Sequence, residues 1–96
     1  MALSFEWDFE KAQANLTKHK VSFDEAATVF NDPLARIYYD ESHSIEEARE
    51  LIFGHSSLQR FVFVSFTERG RDRIRIISAR LPTKRERRSY EESQDS

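Results

Sequence analysis

The sequence predicts an α+β domain: an antiparallel β-sheet with two N-terminal helices packed on one face and a short C-terminal helix, in the order β-α-α-β-β-β-β-α. Three observations lead there. Two segments in the first third carry helix-start signals and apolar residues at helical spacing. The second half holds β-prone runs joined by short connections, which favours antiparallel neighbours. A polar, basic segment behind Pro82 opens with a further helix-start signal.

In chain order, Leu3, Phe5 and Trp7 alternate with Ser4 and Glu6 and read as a short strand. Asp8 is a good cap for a helix from Phe9 to about His19, with an apolar stripe of Phe9, Ala12 and Leu16. Ser22-Phe23-Asp24-Glu25 matches a capping box, in which Ser22 and Glu25 satisfy each other's backbone donors. The helix it starts buries Phe23, Ala26, Ala27 and Phe30, and Asn31-Asp32-Pro33 stops it. Leu34 to Tyr39 favours strand, Asp40–Glu47 a polar loop, and Arg49 to Gly54 strand again, with a turn at Ser56–Leu58. The run Phe61-Val62-Phe63-Val64-Ser65-Phe66 suits a central strand covered on both faces. A turn around Gly70 leads to a strand over Arg73–Arg80, and Thr83 to Glu86 forms a second capping box opening a helix to about Glu92. Residues 1–92 are expected to form one domain, and 93–96 a frayed acidic tail.

Composition narrows the function classes. A chain of 96 residues is expected to make one domain with a modest core. With no Cys there is no disulfide framework and no thiolate metal site, and the three scattered His lack zinc-ligand spacing. No apolar run reaches the roughly 20 residues that span a bilayer, and MALSFEW does not read as a signal peptide, so a soluble cytoplasmic protein is expected. The net charge of −2 hides a strong dipole: residues 1–68 carry −6, the block from Arg69 to Arg88 carries +7, and the tail carries −3. Such a block attracts polyanions, phosphate backbones above all.

Candidate chemistry follows from placement. Strict alternation along DRIRIISAR puts Ile74, Ile76, Ser78 and Arg80 on one face and Arg73, Arg75, Ile77 and Ala79 on the other. Arg80 then ends an otherwise apolar row at the sheet's lip, as a phosphate fork or as an Arg capping the core. Arg73 and Arg75 read as solvent-facing electrostatics. Lys11, Asn15 and Lys18 form a polar stripe on the first helix, either a phosphate-contacting face or a wet one. His19, at the helix C-terminus, reads as a proton donor or a dipole-complementing cap. The last helix has almost no apolar stripe, and Glu86 and Tyr90, one turn apart, can face the sheet together. Gly-rich phosphate loops, nucleophile elbows and zinc-protease signatures are absent.

FEWDFEKAQANLTKHKVSFDEAATVF resembles the N-terminal signature of the BrnT family, and FTERGRDRIRIISARLPTKRERRSYEE resembles its C-terminal signature. With the weaker Glu47-Ala48-Arg49, the resemblance runs from about Phe5 to Glu92. The matching polar positions are Trp7, Lys11, Asn15, Lys18, His19, Glu47, Arg49, Glu68, Arg69, Arg80, Glu86 and Tyr90. Lys20 departs from the Gly found in many members, which bears on the turn before Val21.

The resemblance implies a RelE-like fold and the toxin of a bacterial type II toxin–antitoxin system. That toxin is a ribonuclease that arrests translation, neutralised by a cognate antitoxin with a ribbon-helix-helix DNA-binding module in a 2:2 assembly. Operator DNA is reached only through the antitoxin, and no cofactor, metal or membrane is implied. A metal-free ribonuclease needs a base for the ribose 2′-OH, an acid for the leaving 5′ oxygen and fixed cations for the growing phosphate charge. The expected cations are Arg80 and Arg69 with Lys18 in support. The expected acid and base are His19 and Glu68, with Glu47 behind them. Lys11, Asn15, Arg49 and Lys84 are expected to hold substrate, and Arg73, Arg75, Arg85, Arg88 and Tyr90 to meet the antitoxin. The alternatives are a non-catalytic toxin-like module whose basic block binds an antitoxin or nucleic acid and, further behind, a DNA-binding regulator without a clear helix-turn-helix.

Overall fold

The computed structural model describes residues 3–40 and 48–95. The loop expected after Asp40, and with it Glu47, falls outside the described residues. The elements are β1 (Ser4–Glu6), α1 (Phe9–His19), α2 (Phe23–Thr28) with a 3₁₀ turn over Val29–Asn31, β2 (Arg36–Tyr39), β3 (Glu50–His55), β4 (Phe61–Glu68), β5 (Arg73–Arg80) and α3 (Lys84–Asp95). The expected order holds, and α3 runs on past Glu92.

The five strands form one sheet in the order β1-β5-β4-β3-β2. Three neighbouring pairs are antiparallel, as expected for strands joined by short connections. The first strand departs from that pattern: β1 lies parallel to β5, with Phe5 opposite Ile74. Its connection to the sheet passes through both helices, so a parallel crossover is open to it where a hairpin is not.

The core lies between the sheet and the α1/α2 layer. Val21, Phe23, Ala26 and Val29 from the helical side meet Ile52, Val62, Val64, Phe66, Ile74, Ile76 and Ala79 from the strands. Phe30 joins the layers through tilted and edge contacts with Phe5 and Phe66, and Trp7 meets Phe23 edge-on. The stripe expected to seat α1 is only partly used. Ala12 packs on the core, whereas Phe9 is 72% exposed and Leu16 45%.

Asn15 attaches α1 instead. Its amide donates to the carbonyls of Val21 and Ala79 at 2.9 and 2.8 Å and accepts from the Ala79 N–H at 3.1 Å. Strand β1 stops beside Arg75, so the β5 backbone beyond it has no strand partner on that side. The Asn15 side chain replaces the missing peptide group there.

The capping signals resolve differently from one another. Asp8 accepts from the N–H groups of Glu10 and Lys11, as expected. Ser22 accepts from Glu25 N, but the Glu25 carboxylate does not return the bond. It is buried and turned away, taking Ser56 Oγ at 2.6 Å and Arg60 Nε at 2.9 Å, with a second, short contact to Arg60 Nη2. Arg60 also donates to the Lys20 carbonyl at 3.0 Å, so this network ties the α1–α2 corner to the start of β4. Lys20 ends α1 in the left-handed region at φ 60°, where Gly would sit without strain. Gly54 is needed for a different reason: a Cβ there would lie 2.8 Å from both Ala35 Cβ and Asp32 Oδ2.

Candidate nucleic-acid interface

A β-bulge decides which way Arg80 faces. Strands β4 and β5 pair Phe63 with Arg80, Val64 with Ala79 and Ser65 with Ser78, and then Phe66 with Ile76, leaving Ile77 as the extra residue. The alternation therefore resets, and Ile74, Ile76 and Ala79 are buried on the helical side. The face grouping expected from strict alternation is corrected: Arg80 does not share a face with Ile74 and Ile76. It lies with Arg73 and Arg75 on the sheet's other face, opposite the helices.

That outer face is aromatic toward the β3–β4 side. Phe53 and Phe63 stack at 4.2 Å, and Phe61 lies 5.5 Å from Phe53. Helix α3 lies against these rings through Tyr90, whose ring sits edge-on to Phe53 at 4.4 Å and to Phe61 at 5.1 Å. The Tyr90 hydroxyl donates to the Leu34 carbonyl at 3.1 Å. Tyr90 is only 7% exposed, which corrects the expectation that it meets the antitoxin. It is the internal anchor of α3, so it is not available to a partner, and α3 has a packing contact despite its polar sequence. Glu86 and Tyr90 do face the sheet together.

The second capping box forms completely. Thr83 N donates to Glu86 Oε1 at 2.8 Å, and Glu86 N donates to Thr83 Oγ1 at 3.1 Å. The same carboxylate accepts both ends of the Arg80 fork, at 2.8 and 2.9 Å, and Arg80 lies 4.7 Å above the Phe63 ring. Arg80 foremost, against the opposing effect of burial and with help from Thr83, holds the Glu86 carboxyl down to about 2. The guanidinium is thereby fixed in orientation, with its Nε edge and one Nη2 hydrogen not used by Glu86.

Two concave surfaces flank α3. One, of about 400 Å³, has Phe53 and Phe63 in its floor, Arg36 and Tyr38 on the β2 side, and Arg85, Glu86, Ser89 and Tyr90 on the α3 side. The other, of about 310 Å³, includes His55, Arg60, Phe61, Lys84 and Arg87. His55 packs on Phe61 at 4.0 Å, with Nδ1 3.6 Å from Asp32. Burial works to raise the Asp32 carboxyl, but the N–H donors of His55 and Leu34 outweigh it and hold the group below its ordinary value. Arg87 covers the Phe61 ring at 5.1 Å and pairs with Glu91.

The structure brings together some of the expected site residues and separates others. Arg80 ends β5 and Lys84 and Arg85 open α3, with Arg85 lining the first concave surface and Lys84 the second. Glu68 and Arg69 lie at the opposite end of the β4–β5 hairpin. Glu68 is five residues from the partner of Arg80, about 17 Å along the strand. Arg49, just before β3, is at that far end too, where the neighbouring Ala48 carbonyl accepts from Thr67. Arg73 is taken up by Glu6 at 2.9 Å, and Arg73 foremost keeps the Glu6 carboxyl low, with Arg69 and Arg75 adding to the field. Lys11, Lys18 and His19 are on α1, on the helical side of the sheet. Asn15, expected to hold substrate, is buried, with its amide taken up by the Val21 and Ala79 backbone. Arg88 is exposed on α3. Arg36 and Tyr38 were not expected. Alternation within Arg-Ile-Tyr-Tyr places them on one side of β2, but only the strand order shows that this side is also Arg80's.

Among the described residues, no group of three His, Cys, Asp or Glu could hold a metal ion, and no helix is long and apolar enough to cross a membrane. No curated protein matches the chain. Its fold is similar to the crystal structure of the Brucella abortus ribonuclease toxin BrnT, with a TM-score of 0.67 and 20% identity, over 86% of this chain and 100% of that one. The model of the family described as the ribonuclease toxin BrnT of type II toxin–antitoxin systems matches residues 7–86. With that match running from the end of β1 into α3, the chain belongs to the BrnT family of ribonuclease toxins.

Proposed function

We propose that the chain is a metal-independent endoribonuclease that arrests translation by cutting RNA on the outer face of its sheet. The observation that carries this reading is Arg80. It is a guanidinium fixed by Glu86 over Phe63, beside a groove lined by aromatic rings and further arginines. A cation held in place before substrate arrives stabilises the charge that grows on a phosphate without reorganising at the moment of reaction. Arg80 is assigned that task, and Lys84 and Arg85 hold the neighbouring backbone. Glu68 and Arg69 are too far along the hairpin to act at the same phosphate, so this reading drops them from the reacting centre. His55, rather than His19, is the imidazole assigned to this face.

A cognate antitoxin with a ribbon-helix-helix module is assigned as partner, in a 2:2 assembly. The exposed arginines of β5 and α3 give it an electrostatic target, and covering them excludes RNA from Arg80. Purified protein should cleave RNA in excess EDTA and leave 2′,3′-cyclic phosphate ends. Loss of cleavage in chelator that magnesium restores would overturn the metal-independent mechanism.

A further inference from the structure

We infer that Arg36 and Tyr38 of β2, with Arg85 of α3, form a subsite for one nucleotide of single-stranded RNA, its phosphate between the two guanidinium groups and its base stacked on Tyr38. The inference rests on the RNA-cleaving reading above and adds residues to it.

Charge accounting leads there first. Arg80 and Glu86 neutralise each other, so this pair gives the groove orientation but little net attraction. Arg36 and Arg85 line the same groove from opposite sides. Among the described residues neither forms an ion pair with a carboxylate. The positive potential of the groove is therefore theirs, and a phosphate is the group it suits.

The aromatic surface points the same way. Phe53 is enclosed by Phe63 and Tyr90, and Tyr90 itself is buried. The most exposed ring lining the groove is Tyr38, 48% exposed and two residues along β2 from Arg36, so both project to the same side. An aromatic platform next to a cation is the arrangement that binds single strands, because every base offers a face to stack. A duplex keeps its bases stacked inside and cannot use Tyr38. An acidic protein segment would satisfy the arginines and leave the ring without a function. The groove, at about 400 Å³, is within the size range of small-ligand sites.

The test is fluorescence anisotropy of a short labelled 2′-O-methyl oligonucleotide, which lacks the attacking hydroxyl and cannot be cut. Arg36→Ala, Arg85→Ala and Tyr38→Ala should each weaken binding about tenfold. The two Arg variants should lower the slope of log K against log salt by about one, and Tyr38→Ala should leave it unchanged. Arg71→Ala, at the exposed β4–β5 turn, should change affinity by less than about twofold. Arg85 is exposed on α3, so its variant checks the subsite independently of any repacking around Arg36.

No oligonucleotide binding by the natural protein, or unchanged affinity in Arg36→Ala and Tyr38→Ala, would overturn the subsite. Equal loss for a duplex and a single strand in Tyr38→Ala would do the same. If the variants lose affinity for polyglutamate and not for the oligonucleotide, the groove belongs to a protein partner and the inference fails. Binding that responds as expected in a protein that cleaves no RNA would keep the subsite and remove the nuclease reading.

Discussion

Glu86 grips the guanidinium of Arg80 with both carboxylate oxygens, at 2.8 and 2.9 Å, and so joins the first turn of α3 to the end of β5. One residue caps the helix and aims the cation. Arg80→Ala should reduce RNA cleavage by about two to three orders of magnitude, the scale for losing a preorganised charge stabiliser. Glu86→Gln keeps the size and weakens the grip, and should cost about tenfold to a hundredfold through misplacement. Single-turnover rates for both variants, with thermal melts to show that each is folded, decide the matter. Full activity in Arg80→Ala would remove it from the reacting centre.

The same contact has an acid limit. The Glu86 carboxyl falls from 4.5 to about 2 on folding, so the unfolded chain binds its proton at higher pH than the native one. Its contribution to stability is complete above about pH 5 and is lost as pH falls toward 2. Glu6 and Glu25 are lowered as well, so the whole protein weakens in acid. The difference in melting temperature between the natural protein and Glu86→Gln isolates the single group. It should be flat from pH 7 to 5 and shrink below. A difference that grows on acidification would contradict the assignment.

Removing Arg60 should be far more damaging than removing an exposed arginine. Glu25 is 6% exposed and depends on Arg60 first, then on Ser56. Arg60→Ala strands that carboxylate in the interior and should cost about 3–5 kcal/mol in urea unfolding. Arg60→Met with Glu25→Leu should recover much of the loss, because the pair's desolvation disappears with its attraction. A cost below about 1 kcal/mol for Arg60→Ala would mean that the pair behaves as a surface ion pair.

Asn15 should behave as a structural residue. Asn15→Ala leaves three buried backbone groups, on Val21 and Ala79, without partners, at about 1–3 kcal/mol each. Hydrogen exchange at the Ala79 amide should accelerate sharply in that variant. A stable Asn15→Ala protein with a weakened Michaelis constant would restore the substrate role.

Lys20→Gly should stabilise the protein. Releasing a left-handed Lys is worth about 1–2 kcal/mol, and the extra freedom of unfolded Gly returns about 0.4–1 of it. A net gain of between about 0 and 1.6 kcal/mol is expected from the denaturant midpoint. A loss would show that the bond from Lys20 Nζ to the Thr17 carbonyl outweighs the backbone strain.

Features set by neighbouring residues were legible in the chain itself. Asp8 and the 3.6-residue spacing bounded α1, the unbroken Phe/Val run marked β4, and Thr83-x-x-Glu86 opened α3. The Arg-rich block was equally plain, since charge is additive along sequence. What tertiary structure decided were choices between partners far apart in the chain. The Ile77 bulge arises from how β5 registers against β4, and one extra residue turns Arg80 to the opposite face, an outcome that strict alternation excludes. Glu25 had a local partner in Ser22 and a distant one in Arg60, and burial made the charged partner the stronger competitor for its side chain. Asn15 carries the same polar atoms in a substrate site or in a sheet edge, and only the end of β1 beside Arg75 assigns it to the edge. Arg36 and Arg80 are 44 positions apart and never signal to each other in sequence, because a shared face is a property of strand order and not of spacing.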